Sequence, residues 1–210
     1  TVFDVASGGI LEVSGKVTDT TLLSIVSKEG DGVLRLEGLN PGSSFDILEA
    51  NKGLTIIDGG SLSVGAIVVG NVGLPHSGPL FSTLSVTGAP DLSVEEIVLE
   101  TFGTNNTMVL DFSGKGTRVT TELVGTDGNT FRLDVDQGAV LHLTGETVQP
   151  NRLDEIAVIG GQLRIDAIHM TTGQGAAPLR IQDPDDGEAA LVIGSSVDSL
   201  IDADIVDGNA

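Results

Sequence analysis

Residues 8–17 read "GGILEVSGKV", a pair of glycines followed by Leu11 and Val13, two positions apart among polar neighbours. Apolar residues at period two, bounded by turn-forming Gly and Ser, predict a short β-strand with one buried face. The fold turns on whether this strand is unique or one rung of a repeat.

The same spacing returns along the chain. Leu34 and Leu36, Leu54 and Ile56, Leu62 and Val64, and Leu84 and Val86 carry it through the first half. Leu110 and Phe112, Leu133 and Val135, Leu141 and Leu143, Leu163 and Ile165, Leu179 and Ile181, and Leu191 and Ile193 continue it. Leu11 to Leu34 is 23 residues, Leu34 to Leu54 is 20, Leu62 to Leu84 is 22, Leu84 to Leu110 is 26 and Leu110 to Leu133 is 23. Such periods mark stacked supersecondary units, none of which can bury its apolar face alone.

The expected fold is therefore all-β, a β-solenoid of the parallel β-helix kind with irregular coils of about 20–26 residues. The whole chain, 1–210, reads as one β-rich domain. Two steps of 8, Leu54 to Leu62 and Leu133 to Leu141, fit either a move between faces of one coil or a hairpin. A β-sandwich or jelly roll is the alternative, since alternating strands with turn signals suit it too. "DLSVEEIVLE" (91–100) reads equally as a short helix, with Ser93 and Glu96 at capping-box spacing, or as a strand. "RLDEIAVIGG" (152–161) reads as a strand, and residues 70–79, 171–178 and 182–188 as surface loops.

Composition narrows the function classes. Aromatic residues are 3%, six Phe with no Tyr or Trp, so Val, Ile, Leu and Ala must build a narrow, layered core. Thirty Asp and Glu against ten Lys and Arg give a formal charge of −20, which disfavours nucleic acid and anionic membranes as partners. No Cys is present, so disulfides and thiol chemistry are out. No apolar run reaches the length of a membrane span, and the first residues lack a signal-peptide pattern, as in a mature chain whose export signal is gone.

"GGILEVSG", "GSLSVGAIVVG", "STLSVTGA" and "GAVLHLTGETV" resemble the rungs of secreted bacterial β-solenoid surface proteins, of the autotransporter-passenger and adhesin type. The resemblance extends over most of the chain and lies in composition and rhythm. It implies an extracellular or cell-surface location and a structural or adhesive role.

Candidate chemistry is sparse. His76, His142 and His169 show no metal-ligand spacing, and His142 alternates away from Leu141 and Leu143. No nucleophile elbow, phosphate loop or dinucleotide fingerprint occurs. Carboxylates could serve glycoside hydrolysis, with Asp183, Asp185 and Asp186 the most concentrated, but the aromatic platforms that sugars stack on are missing. The expectation is that the chain is not an enzyme. Calcium is the one cofactor considered, with candidate ligands Asp134 and Asp136 in "DVDQG", Asp185, Asp186 and Glu188 in "DPDDGE", and Asp202, Asp204 and Asp207 in "DADIVDGN". Asn105–Asn106–Thr107 is a glycosylation triplet.

These features point to an extracellular structural protein that self-assembles with copies of itself into a filament, sheath or surface layer through strand edges. The terminal segments 1–14 and 196–210 are the candidate caps or subunit-contact strands. A surface adhesin binding a glycan or protein receptor is the alternative, and a polysaccharide-degrading β-helix the next.

Overall fold

The structure is a computed structural model describing residues 1–18, 23–70, 79–100, 106–125, 130–144, 155–165, 169–171, 179–182, 190–193, 200–202 and 205–207. The strands in chain order begin with β1 (Val2–Asp4), β2 (Ile10–Gly15), β3 (Ile25–Glu29), β4 (Val33–Leu39) and β5 (Ser44–Ala50). The long β6 (Gly53–Val69) follows, then β7 (Phe81–Thr87), β8 (Asp91–Leu99), β9 (Thr107–Phe112), β10 (Arg118–Gly125) and β11 (Thr130–Asp136). The last are β12 (Val140–Leu143), β13 (Glu155–Ile159), β14 (Gln162–Ile165), β15 (His169–Thr171), β16 (Leu179–Gln182), β17 (Ala190–Ile193), β18 (Leu200–Asp202) and β19 (Ile205–Asp207). Among the described residues there is no helix, and every ladder between strands is parallel.

The ladders stack into a β-solenoid with three faces. The first face runs β2, β4, the first half of β6, β7, β9, β11, β13, β16 and β19 in unbroken succession. The third runs β1, β3, β5, the end of β6, then the ends of β8 and β10. Between them the second face pairs Ser61–Val64 with Asp91–Val94, and higher up Arg118–Thr121 with β12, β14 and β17. A β-sandwich is excluded, because its sheets are built from antiparallel neighbours.

The core is a set of side-chain columns parallel to the axis. On the first face Leu11, Leu34, Thr55, Leu84, Leu110, Leu133 and Ile156 are stacked in register. Val26, Leu48, Ile67, Ile97 and Leu123 form the matching column of the third. Val119, Leu141 and Leu163 do so on the second. From Leu34 onwards the apolar members described in these columns are almost completely shielded from solvent, and branched aliphatics fill them without large rings.

Two expectations change. Leu54 and Ile56 do not join the column of Leu34 and Leu36; Thr55 pairs with Leu34 and Ile57 with Leu36, which turns Leu54 and Ile56 outward. The corner sets this register. Gly53, at φ +75°, is so close to the carbonyls of Gly32 and Gly30 that a Cβ there would lie 2.6 and 2.8 Å from them. Leu54 therefore starts the rung opposite Val33. Thr55 comes 21 residues after Leu34 and Leu84 comes 29 after Thr55, so the coils vary more widely than expected. In addition, "DLSVEEIVLE" is the strand β8, its Leu92, Val94, Ile97 and Leu99 buried beside β6.

Both steps of 8 are changes of face within one coil. β6 turns at Gly59 and Gly60, both at positive φ, and its ladder pairing resumes at Ser61 on the next face, while Gln137 and Gly138, also at positive φ, turn β11 into β12. "RLDEIAVIGG" contributes β13, as expected. Most of the three expected loops, residues 71–78, 172–178 and 183–188, lies outside the described residues.

Candidate functional site

Among the described residues the first coil is where inward apolar side chains are least covered. Among the described residues β1 pairs only with β3, and β2 only with β4, so one edge of each strand turns its backbone N–H and C=O groups away from any ladder. The inward side chains of this coil, Phe3, Leu11, Val13 and Val17, are only partly buried, whereas the equivalent Leu34 and Leu36 one coil later are fully covered. Val2 and Ile10 are 65% and 67% exposed. Apolar columns and backbone ladders thus end together on one surface, within the terminal segment 1–14. The other expected contact segment, 196–210, contributes β18 and β19 at the far end of the chain.

Just inside that end is Lys28, which no motif had singled out. It occupies an inward position between Phe3 and Ala50 and is 0% exposed. Its Nζ donates to the carbonyl oxygens of Gly30 at 2.6 Å and Lys52 at 2.5 Å, joining two successive corners. Burial holds the ammonium below its ordinary lysine value, and nearby Lys52 adds to that; Asp31, Glu29 and Asp4 push the other way. The sequence signal was available, since alternation from Val26 places Lys28 on the buried face.

Of the calcium candidates, Asp134 and Asp136 lie on the first face. Asp134 is level with Asp111 on the next rung, and Asp111 is level with Ser85, whose hydroxyl donates to Asp111 Oδ2 at 2.9 Å. Arg132 Nε donates to both Asp134 oxygens, at 3.0 and 2.8 Å, so this carboxylate already has its cation. Asp136 Oδ1 is buried without a hydrogen-bond partner. Burial first, then the Asp111 and Asp134 carboxylates, pushes Asp136 above the usual carboxylate range, with a hydrogen bond from Gln137 opposing. Among the described residues no three His, Cys, Asp or Glu side chains are placed to hold a metal ion. Asp185, Asp186, Glu188 and Asp204 lie outside the described residues, as does Asp183, and Asp202 and Asp207 are placed as strand positions in β18 and β19. Asn105 of the glycosylation triplet is outside them too. Asn106 is buried and its Oδ1 accepts from the Leu80 amide.

The outer surfaces differ in charge. Among the described residues of the third face the outward charges are carboxylates: Glu96 and Glu122 continue the column of Ile25, Ile47 and Ala66, Glu49 is level with Val68, Val98 and Val124, and Asp4 is level with Glu29. Among the described residues of the second face from β10 upward, the outward charged residues are Arg118 and Arg164, which lie in different columns two rungs apart: Arg118 is level with Val140 and Gln162, and Arg164 with His142 and Thr120. Comparison with protein-family models, with curated proteins and with solved structures finds no match.

Proposed function

We propose that the protein is an extracellular structural element that self-assembles with copies of itself through its open strand edges, building a filament, sheath or surface layer. The observation that carries this is the coincidence, at the first coil, of unpaired strand edges with half-exposed core residues. A second copy stacking a rung onto β1 and β2 satisfies the backbone groups and covers Phe3, Leu11 and Val13 in one step. Such a contact joins two different surfaces, so it propagates instead of closing on itself.

Sedimentation velocity and electron microscopy of the chain across a concentration series test it. Polymers are expected to grow with concentration. Val13→Lys, which puts a charge on the exposed rung, is expected to shorten them while the β signature in circular dichroism is kept. A chain that stays monomeric at high concentration, or polymers indifferent to Val13→Lys in the folded protein, would falsify the proposal.

A further inference from the structure

The surroundings of Lys28 suit an amine that has lost its charge. Among the described residues it is the one charged side chain that is fully buried, and its Nζ meets two acceptors, the carbonyl oxygens of Gly30 and Lys52. A neutral amine has two N–H groups to give, and these two carbonyls take both. An ammonium has three. The third has no acceptor among the described residues and no water, which makes the charged form expensive to enclose.

On the side of the first coil the cover over Lys28 is β1. Phe3 is level with it, the Val5 amide donates to the Glu29 carbonyl at 3.0 Å, and the Gly32 amide donates to the Val5 carbonyl at 2.8 Å. Gly30 lies so close under Val5 O and Asp4 Oδ1 that a Cβ would not fit between them. Yet β1 is held by little. It is three residues long, pairs only with β3 among the described residues, and leaves Phe3 partly buried and Val2 65% exposed. Lifting it gives up few apolar contacts and returns Lys28 to water.

We propose that Lys28 is a proton-operated latch on the first coil: as an ammonium it favours β1 lifted and its own head hydrated, and as a neutral amine it favours β1 closed. The latch acts within one chain and does not depend on self-assembly. Of the charged groups that face Lys28, Asp31 in the corner after β3, Glu29 on β3 and Asp4 on β1 favour the ammonium, while Lys52 in the corner before β6 opposes it and is itself paired with Asp31 at 3.0 Å. β5 meets Lys28 with the neutral Ala50. Burial outweighs the carboxylates, so the closed coil holds the Lys28 proton less tightly than the open one. The open state therefore binds more protons in the window below the ordinary lysine value. Closure strengthens as pH rises through that window and is independent of Lys28 below it.

Hydrogen exchange of the wild-type monomer over a pH series tests this, read at the Gly32 amide and corrected for the intrinsic rate at each pH. The Gly32 opening constant is expected to fall as pH rises through the window, by up to about tenfold per pH unit for one proton, while the Leu84 amide on β7 does not follow. Lys28→Met keeps the length of the side chain without its charge, so its first coil is expected to stay closed with no such pH dependence. Direct titration of Lys28 by NMR needs no variant and is expected to give a midpoint below the ordinary lysine value. Gly32 opening indifferent to pH in the wild type, the same dependence surviving in Lys28→Met, or Lys28 titrating at the ordinary value overturns the latch. So does a Lys28→Met chain whose first coil stays open at every pH, because the ammonium would then be a clasp that the coil requires.

Discussion

Thr55 is the one polar residue among the described members of the leucine column on the first face. It is 1% exposed, and its Oγ1 has no hydrogen-bond partner. A buried hydroxyl in that state has given up water without recompense, a cost of about 1–3 kcal/mol. Thr55→Val keeps the branched shape and removes the hydroxyl, so it is expected to raise stability by about 1 kcal/mol, read as a higher urea midpoint at unchanged slope. An unchanged or lower midpoint would mean that Thr55 is satisfied in solution. Asp136 gives a second measurement. The folded state holds its proton to a higher pH than the unfolded chain does, so the folded state binds more protons through that window and stability falls as pH rises across it. Asp136→Asn should therefore be more stable than wild type at neutral pH, with the gap closing as pH drops below the ordinary carboxylate range. A gap independent of pH would count against this account.

Corners decide what the strands do. Gly60 sits at φ +78°, and a Cβ there would overlap the Leu39 amide nitrogen, whereas Gly15, at φ +87°, faces open space. Gly15→Ala meets only backbone strain, while Gly60→Ala meets strain and a clash with backbone of the neighbouring rung. The second is expected to cost clearly more than the first, which is about 1 kcal/mol; equal melting temperatures would show that the β6 corner can relax. The same corner shows where sequence reasoning stops. Alternation found nearly every rung and the parallel solenoid with it, because Leu34 and Leu36, Leu84 and Val86, or Leu133 and Val135 carry a pattern that only one face can bury. It misassigned Leu54 and Ile56 since "LTII" offers two apolar frames, and the choice between them is made by Gly53 against carbonyls a coil away. The pattern of the outer surface was less legible still. Asp111 meets Asp134 across 23 residues and Glu96 meets Glu122 across 26, distances set by coil lengths that no local motif encodes.

For the molecule as a whole, stability resides in contacts between successive coils, so each rung is held by its neighbours. A high acidic charge keeps such shafts apart side by side, so the assembly proposed here runs end to end through the apolar edges of the first coil. β6 adds something different. Gly53–Val69 carries the ladder from the first face through the corner at Gly59 and Gly60 to the third face, so at this level one continuous run of rung pairing serves both walls of the shaft. Under mechanical load this makes the protein anisotropic. Tension along the axis loads the hydrogen bonds between rungs and opens the ladders like a zipper, whereas tension around the girth is carried in every coil by the covalent backbone that winds around it.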